Sequence, residues 1–223
     1  MRLIQPKGKK FWTPAVIMQV GGKVPAPPAF VSIGNVTDAG SGSTTISLSA
    51  NIGAAAAGRV ILIAATTQSG SGYSGATVNA VAMTAISITT PGPQAQFFYL
   101  VGVGPGSGTQ SIVATGGQFQ NRLLQAWTLN GLGATTPKQT AGSGASTANI
   151  VSISVTAGDS LFAVTGTVSG ATNFNGSTQT PSDTYDFGAT VNATAADWTV
   201  GSTNASFAVT ASRFGSLIAV TFA

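Results

Sequence analysis

The residues best suited to chemistry lie together late in the chain, in Pro181-Ser182-Asp183-Thr184-Tyr185-Asp186-Phe187. Two carboxylates, Asp183 and Asp186, can act as acid and base in glycoside hydrolysis. They can also begin an oxygen site for Ca²⁺, with Tyr185 between them stacking on a sugar. Each use asks for more than this run supplies. Ca²⁺ wants roughly six to eight oxygens, and two acids in a polar stretch equally well cap turns of a solvated loop. The turn-capping reading is preferred. Asp183, Tyr185 and Asp186 are kept as the candidate ligand loop, within a long polar stretch from Gly170 to Ala195.

The rest of the chemical inventory is thin. The chain has no His, no Cys and no Glu, and its acids are Asp38, Asp159, Asp183, Asp186 and Asp197. Imidazole is the usual acid–base group near neutral pH, and a Ser or Thr without a base beside it is a poor nucleophile. Without His or Cys the ordinary zinc ligand sets are excluded. Glycine-rich runs such as Gly102 to Gly108 lack the helix and lysine of a phosphate cradle. The expectation is a protein without catalytic residues, metal or cofactor.

Positive charge collects at the start. Arg2, Lys7, Lys9, Lys10 and Lys23 precede the first acid, Asp38, whereas Arg59, Arg122, Lys138 and Arg213 face five Asp in the remainder. Half of the ten prolines also fall there, at positions 6, 14, 25, 27 and 28. Proline fixes φ and removes a donor, so this stretch reads as extended or polyproline chain. Residues 1–37 are therefore expected to form an extended, basic arm, and 38–223 the folded body. Lys7, Lys9 and Lys10 have two uses: touching phosphates, with Phe11 and Trp12 stacking on bases, or docking on an acidic protein surface. The apolar run through Val16, Ile17 and Met18 favours protein docking over nucleic acid. Ala15–Val20 reads as one short strand, and a stripe of this kind needs a surface to lie on. No stretch reaches the 18 or so apolar residues of a membrane helix, and Pro14 and Gln19 interrupt the only segment that resembles a secretory signal.

The elements that must carry these residues are strands. From Phe30 onward, short β-branched runs recur between Gly, Ser and Asn punctuation at the spacing of sandwiches and barrels. Phe30–Val36 and Thr44–Ser49 alternate. Val60–Ala65 is continuously apolar and reads as a central strand covered on both faces. Thr77–Val81, Met83–Ile88 and Gln96–Val103 follow, the last with Gln110–Ala114 as its hairpin partner. Leu123–Leu129 holds Trp127, a core residue like Trp198, and stops at the turn pair Asn130-Gly131. Ala141–Ala145 reads as a loop, Ile150–Val155 and Leu161–Val168 as strands, and Ser206–Ala211 with Leu217–Phe222 as a closing hairpin around Arg213-Phe214-Gly215. Ala54–Ala57 is boxed by Gly53 and Gly58 and allows one helical turn at most.

Composition agrees with a folded, adhesive body. The chain is 43% hydrophobic but only 6% charged, against roughly 25% charged in an ordinary soluble domain. Nearly chargeless surfaces tend to associate.

The succession Gly58-Arg59-Val60-Ile61-Leu62-Ile63-Ala64, Phe98-Tyr99-Leu100-Val101, Gly108-Thr109-Gln110-Ser111-Ile112 and Ala126-Trp127-Thr128-Leu129-Asn130-Gly131 resembles β-sandwich virion proteins of tailed bacteriophages. The resemblance covers about residues 45–222 and rests on structural motifs. It implies an antiparallel, jelly-roll-like β-sandwich and a place on the capsid or tail as a decoration, cement or spike-base component. It also implies self-association, commonly as a trimer, with the major capsid or another virion protein as partner. The expected function is thus a non-enzymatic virion protein of the head-decoration type, docked through its arm. The alternative is a carbohydrate-binding or adhesin module using the 170–195 loop.

Overall fold

The computed structural model describes residues 29–38, 42–69, 72–86, 95–116, 120–153, 159–167, 183–186, 193–199 and 205–223. Lys7, Lys9, Lys10, Phe11, Trp12, Val16, Ile17 and Met18 lie outside them. The described residues form fourteen strands and no helix. The first nine are β1 (Ala29–Asp38), β2 (Thr45–Asn51), β3 (Val60–Ser69), β4 (Tyr73–Val78), β5 (Val81–Ala82), β6 (Thr84–Ala85), β7 (Ala95–Val101), β8 (Thr109–Gly116) and β9 (Gln120–Asn130). The last five are β10 (Gln139–Ile153), β11 (Ser160–Thr167), β12 (Asp183–Asp186), β13 (Ala193–Thr199) and β14 (Ala205–Phe222).

β1 to β9 make a jelly-roll. One sheet runs β1-β9-β3-β7-β6 and the other β2-β8-β4-β5, with every pairing antiparallel. Successive strands alternate between the two sheets along most of the chain, so the strands beside one another are distant in sequence, as in a double Greek key. Ile61, Ile63, Ala65, Phe98, Leu124 and Ala126 point from the first sheet into the space between the two. They meet Ile46, Ala50, Ala76, Val78, Ile112 and Ala114 of the second.

β10 to β14 form a third sheet, in the order β10-β14-β11-β13-β12. It covers the other face of the β1-β9-β3-β7-β6 sheet. Val60, Leu62, Ala64, Phe97, Trp127 and Leu129 there pack against Phe162, Val164, Ile218, Val220 and Phe222. The Phe162 ring meets Trp127 edge-on at 5.2 Å and Phe30 at 5.3 Å. The sandwich therefore has three layers, and the first sheet is the middle one. This explains the unbroken apolar run Val60–Ala65. With both faces of β3 covered, each of these residues is 0% exposed, and no position is left where a polar residue would be cheap.

Several local expectations are corrected. The last residues of the 1–37 segment belong to a sheet, since β1 pairs with β9 from Ala29↔Asn130 to Asp38↔Arg122. Thr77–Val81 is not one strand: Asn79 and Ala80 take positive φ (48° and 63°) and turn the chain between β4 and β5. A two-residue hairpin of this type needs positive φ at both positions. β8 is not the hairpin partner of β7. The chain crosses to the second sheet at 102–108, and β8 lies between β2 and β4. Ala141–Ala145 is part of β10 rather than a loop. The closing pair of strands is one continuous strand, β14, through Arg213-Phe214-Gly215. Ala54–Ala57 holds no helix, within the limit of one turn expected for it.

Candidate docking surface

Five charged side chains of the body, those of Asp38, Arg59, Arg122, Lys138 and Asp159, fasten loops or strand ends. Arg59, at the head of β3, is 1% exposed. Its Nη1 donates to the carbonyls of Ile52 (3.3 Å), Gly53 (3.5 Å) and Ala54 (3.0 Å), and its Nη2 to those of Gly102 (3.1 Å) and Gly106 (2.9 Å). One guanidinium thus ties the β2–β3 loop to the β7–β8 crossing with backbone dipoles alone. Burial, with no counter-ion among the described residues, holds its pKa below the usual arginine range.

Arg122 fastens the opposite end. It is fully buried, donates to the carbonyls of Ser43 (3.1 Å) and Thr45 (2.6 Å), and forms an ion pair with Asp38, whose side chain is 39% exposed. Tyr73 lies nearby and donates to the Thr66 carbonyl at 2.9 Å. Burial pushes the Tyr73 hydroxyl well above its ordinary pKa; Arg122 works against that rise and Asp38 adds to it. Lys138, in the segment between β9 and β10, binds both oxygens of the buried Asp159, at 3.1 and 2.8 Å. The same segment donates from Gly133 N to Ala223 O at 2.8 Å and from Lys138 N to Thr221 O at 2.8 Å, which ties the end of the third sheet to the jelly-roll.

With its charges spent in this way, the outer face of the second sheet carries none. β2 buries Ile46 and Ala50, so alternation puts Thr45, Ser47, Ser49 and Asn51 outside, all exposed. The register sets Thr45 beside Thr115, Ser47 beside Val113, Ser49 beside Ser111 and Asn51 beside Thr109, with Thr77 beyond Val113. The result is a flat array of hydroxyls and small side chains, four strands wide. At a spacing of ~4.8 Å between strands and ~3.3 Å per residue it covers roughly 400 Å².

A second feature lies at the side of the sandwich. β1 is hydrogen-bonded to β9 on one side only, and β2 to β8 on one side only, among the described residues. The two open edges lie next to each other. At Gly34 (φ 137°) β1 shifts register beside β2, where an added Cβ would make ordinary contact with the Leu48 side chain at 3.6 Å. Beside it opens a cleft of about 490 Å³, lined by Val31, Ser32, Ile33, Asn51, Gly53, Thr128 and Asn130. It is uncharged, and Val31 is 58% exposed in it.

Residues 183–186 are a strand rather than a loop, and β12 is the edge of the third sheet, paired with β13. The register sets Asp183 opposite Asp197 and Tyr185 opposite Ala195. Trp127 is buried in the core, as expected.

Sequence reading missed the two arginine fasteners. Their signal was present: each stands directly before an apolar run (Val60–Ala65, Leu123–Leu124) in a chain where charge is scarce. No family model, no curated protein and no solved structure matches this chain.

Proposed function

We propose that this chain is a non-enzymatic structural protein of a virion, of the head-decoration or cement kind. It seats the outer face of its β2-β8-β4-β5 sheet on the shell and is fastened by its N-terminal arm. The observation that carries this reading is the charge-free hydroxyl face, with the nearby charges committed to fastening loops. Burying that face strips no ion of water, so contact costs little desolvation. Its roughly 400 Å² is about half of the ~800 Å² each partner gives to a standard stable interface. A face of this size holds weakly alone, and an arm of 28 residues ahead of β1 can supply the rest.

The test is whether the protein co-purifies with intact particles at a fixed ratio to the major shell protein. Removing residues 1–28 should leave the body folded and abolish incorporation. Normal incorporation of the truncated chain would refute the role of the arm. Ser47→Glu combined with Ser111→Glu should weaken incorporation at least tenfold without unfolding the body, since both positions are exposed. Unchanged incorporation would remove the hydroxyl face from the proposal.

One observation favours a second reading as a carbohydrate-binding module. The cleft beside β1 offers Ser32, Asn51, Thr128 and Asn130 beside Val31 and Ile33, a neutral mixture that suits a sugar. Glycan binding by the isolated protein, lost on Asn51→Ala, would support it.

A further inference from the structure

We propose that the open edge of β1 is an acceptor for strand addition, and that its occupant is the segment Ala15–Val20 from the arm of a second copy. This inference rests on the reading of the arm as an assembly device and names its partner.

The acceptor is well formed. β1 is ten residues long and pairs with β9 along its length, which leaves its other side open among the described residues. Exposed edges are normally blunted by lysine, proline, an inward charge or a bulge; β1 has one register shift, between Ser32 and Gly34, and Ala29–Ser32 before it is regularly paired. Ala29–Thr37 carries no Lys, Arg, Glu, Asp or Pro. Strand addition takes its affinity from main-chain hydrogen bonds and its selectivity from recesses for alternate side chains. The cleft beside Val31 and Ile33 is one such recess, adjacent to this strand.

Chain length and stiffness choose the occupant. Ala15-Val16-Ile17-Met18-Gln19-Val20 is the one apolar strand-like run in the 28 residues before β1. Eight residues, 21–28, separate it from Ala29, and by composition Val24-Pro25-Ala26-Pro27-Pro28 within them reads as a polyproline rod, which would span about 15 Å at ~3.1 Å per residue. To pair with its own β1, the run would have to return to within ~4.8 Å of that strand across a connection holding this rod. Reaching outward costs nothing of the kind, since 28 extended residues span up to roughly 90 Å. Each copy then gives one arm and accepts one. Such head-to-tail exchange fills every edge when the copies close into a ring. Lys7, Lys9 and Lys10 lie ahead of the paired segment and stay free to contact the shell.

The chain has no cysteine, so engineered thiols report cleanly. Single cysteines at each of positions 15–20 in one full-length chain are mixed with Val31→Cys in another under mild oxidation. At one or two alternate positions a disulfide-linked dimer is expected, and the chain carrying both cysteines should give linked oligomers on a non-reducing gel. An intrachain disulfide alone would show that the arm folds back on its own β1, and no bond at any of the six positions would show another occupant; either result overturns the proposal. As a second reading, Val31→Lys changes an exposed residue, so folding should be unaffected while self-association weakens at least tenfold. Unaltered self-association would also overturn the proposal. Particle incorporation is scored separately. Cross-linked copies that are absent from particles would refute the virion reading and leave the exchange of arms standing.

Discussion

Arg59 and Arg122 sit at opposite ends of the same sandwich, and both are buried, yet they are neutralised differently. Arg59 has five backbone carbonyls and no carboxylate, whereas Arg122 has two carbonyls and the half-exposed Asp38. The first is a cage of backbone carbonyls, one buried and four partly buried. The second is a clasp with one side in solvent. The difference teaches what a chain with few charges does with them: they secure the loops and edges that a neutral sequence cannot hold by packing.

The comparison breaks most visibly at Arg59. Replacing it with Met keeps much of the bulk but leaves five carbonyls without their donor. The bond to Ile52 is buried and the other four are partly so; a fully buried orphan costs about 1–3 kcal/mol before relaxation, a partly buried one less. A loss of about 3–5 kcal/mol in unfolding free energy is expected, read as a lower denaturation midpoint at unchanged slope. Arg122→Met should cost less, about 2 kcal/mol, because Asp38 is exposed enough to be rehydrated when its partner is lost. Equal costs for the two variants would dissolve the distinction between cage and clasp.

The smallest effect is a pH dependence confined to the clasp end. Tyr73 has its pKa raised by burial, so the unfolded chain loses that proton more readily than the folded one. A group raised in the folded state contributes stability that is complete below its unfolded pKa, about 10 for tyrosine. That contribution fades as pH climbs above this value. Wild type should therefore lose stability above about pH 10 more steeply than Tyr73→Phe. At neutral pH the variant should be about 1 kcal/mol weaker, for the lost bond to Thr66. Parallel alkaline limbs would show that Tyr73 is not buried in the folded state.

How much of this was legible in the sequence differs by feature. The strand class was legible throughout, and Val60–Ala65 announced its double burial because no polar residue interrupts it. The hairpin at Asn79-Ala80 was not, since Val78 and Val81 continue the apolar pattern across the turn and Ala gives no hint of positive φ. Strand partners were also hidden. β7 and β8 look like neighbours because a glycine-rich turn joins them, but a jelly-roll crossing uses the same turn residues. The Arg59 cage could not be read at all in its details, because its acceptors are main-chain carbonyls, which any residue type supplies. The strand at Asp183–Asp186 was hidden for a simpler reason: a short polar run after Pro181 has the composition of a loop.

The middle layer also has a consequence during synthesis. Residues 29–130 contain the whole jelly-roll, so it can close on itself while the rest is still being made. One side of its first sheet, with Val60, Leu62, Phe97, Trp127 and Leu129, then stays bare until the strand ending at Phe222 leaves the ribosome. At translation rates of roughly 5–20 residues per second, that interval is on the order of 5–20 s. For that time each nascent chain shows a greasy wall to its neighbours on a polysome. Expression yield should therefore depend on elongation speed and chaperone supply more than the stability of the finished protein would suggest.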